Sequence, residues 1–178
     1  MIQVHKAVEP SKLTKAGKVR LAQMLTGGPD PAGVGWVLPK YDGVYAQYLQ
    51  GEDGAFKCYS RTGERLLSGE FPEALEVCRL LGCTVIGELW HAQRDHSWIN
   101  GEARRQCVSP TLHLVVHDAY VDYGLDYMHR WSRFSHKVWT NPLERVDIAP
   151  VLVVPTLGRS LDSLYKDARQ WRTIGPYD

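Results

Sequence analysis

Apolar and polar residues change their period several times along this chain, and each change marks an element. Between Ser11 and Leu25, apolar positions at Leu13, Val19, Leu21, Ala22 and Leu25 stand among lysines, which predicts an amphipathic helix. The run Gly27-Gly28-Pro29-Asp30-Pro31 breaks it. Strands are predicted at Val34 to Pro39 and Val44 to Gln50, and a third, Ala55 to Ser60, is expected to pair with the second across the turn Glu52-Asp53-Gly54. Phe71 to Leu81 reads as a helix with Phe71, Ala74, Leu75, Cys78 and Leu81 on one side. Thr84 to Trp90 is a β-branched strand, and a short helix near Ile99 to Val108 precedes another strand, Leu112 to Tyr120. Strict alternation in that strand places Leu112, Leu114, Val116 and Asp118 on one face, opposite His113, Val115, His117 and Ala119. Tyr127 to Trp139 and Leu161 to Arg172 look helical, and Pro150 to Pro155 looks like a buried strand. Helices mixed with strands, a hairpin among them, give an α+β fold.

Composition narrows the picture little. Hydrophobic residues at 44% and charged residues at 23% fit a globular protein, and 178 residues suffice to bury a core. Charge does more. A net charge of +1 lacks the basic surplus that supplies non-specific affinity for nucleic acid, so any such site must be a local patch or lie elsewhere. The four cysteines, Cys58, Cys78, Cys83 and Cys107, include no C-x-x-C pair and are expected to be buried free thiols in a reducing compartment. No charged-then-apolar leader and no membrane-spanning run is seen, so a cytoplasmic location without a membrane partner is expected.

Four short segments carry candidate chemistry. Lys40, in Trp36-Val37-Leu38-Pro39-Lys40-Tyr41-Asp42-Gly43, stands where an apolar run meets a turn, and desolvation there would free a nucleophilic amine. An ordinary strand-end lysine explains the tetrapeptide equally well when it is taken alone. Arg61, in Ser60-Arg61-Thr62-Gly63, could present its planar fork to a phosphate, or be a solvated turn residue. Glu88 puts a carboxylate on an otherwise apolar strand, where it wants a cation, a sugar hydroxyl or a basic partner, unless it faces water. His117, at a strand end, has a ring that can stack on a purine, although a structural role is commoner. Arg104 and Arg105 are explained equally by phosphate contact and by a solvated helix face. The residues His91, Asp95 and His96 match no strong zinc spacing. Lys6, Lys12, Lys15, Lys18 and Arg20 read by default as a solvated helix face, and the glycines at 27 and 28 as a plain loop.

The order of the segments changes their weight. Lys40-Tyr41-Asp42-Gly43, Ser60-Arg61-Thr62-Gly63, Gly87-Glu88-Leu89 and a strand ending in His117-Asp118 resemble the covalent nucleotidyltransferases, and most of all the phage and bacterial ATP-dependent DNA ligases, over residues 33 to 178. The resemblance implies an ATP-grasp-like adenylylation domain over 33–178, with mixed or antiparallel sheets flanked by helices, after an N-terminal helix and loop over 1–32. It implies that Lys40 attacks the α-phosphate of ATP, that Arg61 contacts the nucleotide and later a 5′-phosphate, and that Glu88 meets the ribose and the metal. His117 then takes the place of the ring that stacks on adenine, and Arg104 or Arg105 touches DNA. ATP and Mg²⁺ are the implied cofactors, and nicked double-stranded DNA the implied partner. Tyr45 departs from the family, which usually has an arginine two residues after the glycine, and His117 replaces a phenylalanine or tyrosine. Two later lysine motifs and an OB-fold domain are not found before Asp178. The expected domain is therefore C-terminally incomplete, with the missing part or a partner chain as a further partner and little AMP adduct expected from these residues alone. Two alternatives stay open: a non-catalytic remnant that binds nucleotide or nicked DNA, and an RNA ligase or capping-type relative.

Overall fold

The computed structural model describes residues 34–37, 41–121, 125, 127–150 and 152–155. Lys40 and the helices expected over Ser11–Leu25 and Leu161–Arg172 lie outside the described residues. The chain divides into two units. One contains β1 (Val34–Val37) and β7 (Leu152–Pro155), which pair antiparallel with Trp36 opposite Val153. The other, Tyr41–Ala149, is built on five strands: β2 (Val44–Gln50), β3 (Phe56–Tyr59), β4 (Val85–Trp90), β5 (His113–Ala119) and β6 (Val146–Ile148). Their order is β3-β2-β4-β5-β6; all neighbours run antiparallel except β5 and β6, which are parallel. The whole is a mixed α/β architecture, as the alternating periods predict.

Among the described residues, three α-helices cover one face of this sheet. Helix α1 (Pro72–Leu81) starts with proline in its first turn, where the missing N–H costs nothing, and stops at Gly82, whose N–H bonds the Cys78 carbonyl. Helix α2 (His96–Ala103) is capped by Asp95, whose Oδ1 accepts from the Trp98 N–H at 2.8 Å. That cap moves the helix toward the N-terminus from the span Ile99 to Val108 expected from periodicity alone. Helix α3 (Tyr127–Trp139) matches its expected span. Ala74 and Val77 of α1, Ile99 and Ala103 of α2, and Phe134 and Val138 of α3 form one core with Ala46, Tyr48, Val85, Leu89, Leu114 and Val116 of the sheet. No helix among the described residues is long and apolar enough to cross a membrane.

Strand β5 breaks the alternation expected of it. Gly87 pairs with Val116 but Ile86 pairs with Asp118, so His117 is an extra residue, a β-bulge. Ala119 therefore lies opposite Val85 and joins the core with Leu114 and Val116, instead of sharing a face with His117. The three-residue β6 was not expected either; it pairs Val146 and Ile148 with Leu114 and Val116. Among the cysteines, Cys58 and Cys78 are buried, and burial pushes the Cys58 thiol up to about 12. Cys83 is half-buried and Cys107 is exposed, so burial does not extend to all four.

One ion pair fastens α1 to the start of β6. Arg145 donates to both carboxylate oxygens of Glu73 at 3.0 and 2.7 Å, bonds the Ser109 carbonyl at 2.9 Å, and lies 4.3 Å over the Phe71 ring. The bond from Arg145 holds the Glu73 carboxyl below the usual carboxylate range. A depressed carboxyl stabilises the fold above its unfolded pKa, and the contribution is lost as pH falls through the folded value. Glu73→Gln is expected to cost about 1 kcal/mol near neutral pH, and the difference from wild type should shrink in acid. Urea unfolding at several pH values measures both, and a constant difference across the range would contradict the account.

Candidate nucleotide site

The sheet face away from the helices carries the sequence candidates. With Ala46 and Tyr48 in the core, alternation turns Tyr45 and Gln47 of β2 to the other face; with Val85 and Leu89 in the core, it turns Ile86, Glu88 and Trp90 of β4 there too. Tyr45 lies opposite Glu88, and Glu88 opposite Val115. Gly43 approaches this pair so closely that a Cβ on it would stand 2.6 Å from Glu88 Cγ and 2.5 Å from the Leu89 carbonyl oxygen. Only glycine fits there, so the reason for Gly43 after Asp42 is packing.

His117 reaches the same place from β5. Its Nε2 lies 3.3 Å from Glu88 Oε2, buried and out of line for a hydrogen bond. Tyr41 packs edge-on against both Trp90, at 5.4 Å between ring centroids, and His117, at 5.8 Å. Tyr41 and Trp90 were not singled out in the sequence, although Trp90 shares the alternation phase of Glu88 and Tyr41 adjoins Lys40.

Arg61 comes from the turn after β3. The Ser60 Oγ accepts from the N–H groups of Thr62 and Glu64, and Gly63 bonds back to the Ser60 carbonyl, so the turn is tied to itself. The exposed Arg61 places its guanidinium 5.2 Å from the centroid of Tyr45, whose hydroxyl donates to Gln47 Oε1 at 2.9 Å. Tyr45 thus does not leave the face without a cation; it seats one, through a contact worth about 0.5–1 kcal/mol at an exposed position.

The structure therefore brings Arg61, Glu88 and His117 onto one face, together with Tyr41, Tyr45 and Trp90. Arg104 and Arg105, both exposed, stand apart in ion pairs of their own. Arg104 binds Glu64 and Asn100 at 2.9 and 3.2 Å, and Arg105 binds Glu102 at 2.9 Å. The Glu64 bond does join the end of α2 to the turn that carries Arg61. His91, Asp95 and His96 do not form a metal centre: His91 Nδ1 accepts from the Gln93 N–H, Asp95 caps α2, and His96 lies 3.5 Å from the exposed Asp42. Among the described residues no three His, Cys, Asp or Glu side chains are grouped to hold a metal. Mg²⁺ commonly takes one or two protein carboxylates and fills its octahedron with water and phosphate oxygens. Glu88 alone suits an ion that arrives with a phosphate, and does not form a standing cage.

An arrangement of aromatic rings, one carboxylate, one imidazole and one guanidinium offers a planar base, a sugar hydroxyl and a phosphate each a partner. No family model and no curated protein matches the sequence significantly. Solved structures do match. A Lig E DNA ligase superposes with a TM-score of 0.55 at 16% identity, over 79% of this chain and 51% of the ligase. The ATP-dependent DNA ligase of bacteriophage T7, in complex with ATP, gives 0.55 at 16% identity over 86% and 56%. Chlorella virus DNA ligase-adenylate gives 0.53 at 16% identity over 78% and 49%. The chain spans about half the length of each. At such low identity the likeness speaks for architecture: the chain has the fold of DNA ligase adenylation domains.

Proposed function

We propose that this chain is the nucleophile-bearing, ATP-binding part of an ATP-dependent DNA ligase. One observation carries the reading. On a ligase-type fold, the sheet face gathers Arg61, Glu88 and His117, and Tyr41, the residue bonded to Lys40, is packed against His117 and Trp90. In this reading adenine stacks on the His117 ring, Glu88 accepts from the ribose, and Arg61 faces phosphate. The Lys40 amine, once deprotonated, attacks the α-phosphorus; a P–N bond forms, the bond to the bridging oxygen breaks, and pyrophosphate leaves. AMP then passes to the 5′-phosphate at a DNA nick, freeing Lys40, and the 3′-hydroxyl displaces it. Mg²⁺, held by Glu88 and the phosphates, would offset charge on the phosphate oxygens.

Incubation with ATP and Mg²⁺ followed by peptide mapping tests the proposal. An AMP adduct on Lys40, even at low occupancy, supports it; an adduct confined to another lysine overturns it. A second reading, a nucleotide or nick binder without ligation chemistry, is favoured by Tyr45 standing in the place of the family arginine. ATP binding with no adduct under any condition would select that second reading.

The stacking role has its own test. Removing one base–aromatic stack costs about 1–3 kcal/mol, so His117→Ala is expected to weaken ATP binding roughly tenfold or more. His117→Phe keeps a flat ring and should stay close to wild type. Equal losses in both variants, read by calorimetric titration, would show that the imidazole serves Glu88 rather than the base.

A further inference from the structure

Aspartate is depleted in β-strands and glutamate to a lesser degree, so an acid on a strand asks for a reason. The described strands hold three carboxylates: Glu88 on β4, Asp118 on β5 and Asp147 on β6. Two of them have partners. Glu88 meets His117, and Asp118 accepts from Nε and Nη2 of Arg130 at 3.1 and 2.7 Å. Asp147 joins no hydrogen bond or ion pair among the described residues. Its neighbours Val146 and Ile148 belong to the core, so alternation turns Asp147 to the opposite face, where it is exposed. That is the face of the candidate nucleotide site. The register sets Tyr45, Glu88, Val115 and Asp147 opposite one another in a single row across β2, β4, β5 and β6.

The chemistry along that row follows the parts of a nucleotide. The Arg61 guanidinium lies over Tyr45, Glu88 comes next, and His117 stands two residues along β5 from Val115. In the function proposed above these take phosphate, ribose and base in turn, and the next strand carries Asp147. Neighbouring strands lie about 4.8 Å apart, so about 10 Å of sheet separates Glu88 from Asp147. A nucleoside spans that gap from its ribose hydroxyls to the far edge of its base. We propose that Asp147 reads that edge: its carboxylate accepts a hydrogen bond from the exocyclic amine of an adenine stacked on His117. Adenine presents this amine as a donor, and an ionised aspartate offers only acceptors. An acid on an edge strand can also serve to deter pairing with another chain, and Asp147 would then be indifferent to the base. This role for Asp147 rests on the nucleotide reading of the face and adds the residue that selects the base.

The test is calorimetric titration with ATP and with purine riboside 5′-triphosphate, which differs from ATP only in lacking the amine. Wild-type protein is expected to bind the analogue about tenfold more weakly, the loss of one hydrogen bond to a charged acceptor. Asp147→Ala should bind ATP about tenfold more weakly than wild type and hold the two nucleotides about equally. Asp147→Asn keeps an acceptor oxygen and should still prefer ATP. The wild-type comparison needs no substitution, so the role stays testable even where alanine disturbs β6. An undiminished preference for ATP in Asp147→Ala overturns the role of Asp147 and leaves the nucleotide site standing. Wild-type protein that binds ATP and the analogue equally does the same. Wild-type protein that binds neither overturns the nucleotide site and the role of Asp147 together.

Discussion

Lys40→Ala is expected to abolish AMP attachment completely, while Lys57→Ala leaves it at the wild-type level. The contrast comes from where each lysine stands in the chain. Lys57 lies on the edge strand β3 and donates to Asp53 at 2.9 Å across the hairpin turn, in an exposed ion pair. The same bond holds the Asp53 carboxyl below its usual range. An ammonium cannot attack phosphorus. Lys40 instead precedes Tyr41, Asp42 and Gly43, and the described part of that segment packs on Glu88, Trp90 and His117. Lys40→Arg should be as inactive as alanine, because a guanidinium keeps the charge but offers no free amine. Intact-mass measurement after incubation with ATP and Mg²⁺ reads all three variants, and an adduct surviving in Lys40→Ala would rule out this nucleophile.

The second large effect is on the fold. A Cβ on Gly87 would stand 2.4 Å from the Val115 carbonyl oxygen and 2.8 Å from Leu114 Cδ1, both on the paired strand β5. The oxygen belongs to backbone inside the ladder and cannot step aside as a flexible side-chain end would. Gly87→Ala is therefore expected to push β4 and β5 apart at a cost of about 2–3 kcal/mol, lowering the unfolding midpoint by roughly 5–10 °C. Glu88 follows in the chain and His117 sits at the same bulge, so ATP affinity should fall together with stability. Gly101→Ala provides the opposite case. It lies in α2 with no atom within 4 Å of the added Cβ, and a gain of about 0.5–1 kcal/mol is expected from helix propensity. Thermal unfolding of the two variants side by side distinguishes packing from a general intolerance of glycine replacement.

How much of this was legible in the sequence depends on whether local chemistry or tertiary contact decided each element. Strand β2 and helix α3 have the spans read from alternation and from 3.6-residue periodicity, because their patterns are long and uninterrupted. Helix α2 moved because a capping aspartate outweighed the apolar spacing. Strand β6 escaped notice because three residues make no pattern, and it exists through its parallel partner β5. Within the site, Glu88 could be recognised as a lone carboxylate in an apolar strand, and the motif order pointed to Arg61 and His117. The seating of Arg61 on Tyr45 was not legible, since it joins a turn to a strand through a fold the spacing does not encode.

The bulge at His117 has a consequence for changes of chain length. Were that one residue deleted, Val116 would still meet Gly87, Asp118 would still meet Ile86, and Ala119 would still meet Val85. The shortened strand would pair without a break, and each neighbour would keep its face. The pairing with β4 thus does not require a residue at position 117, although its carbonyl accepts from the Tyr127 hydroxyl of α3 at 3.0 Å. Length variation at this point would therefore report on the outer face and on the tie to α3, and not on the pairing of the strands.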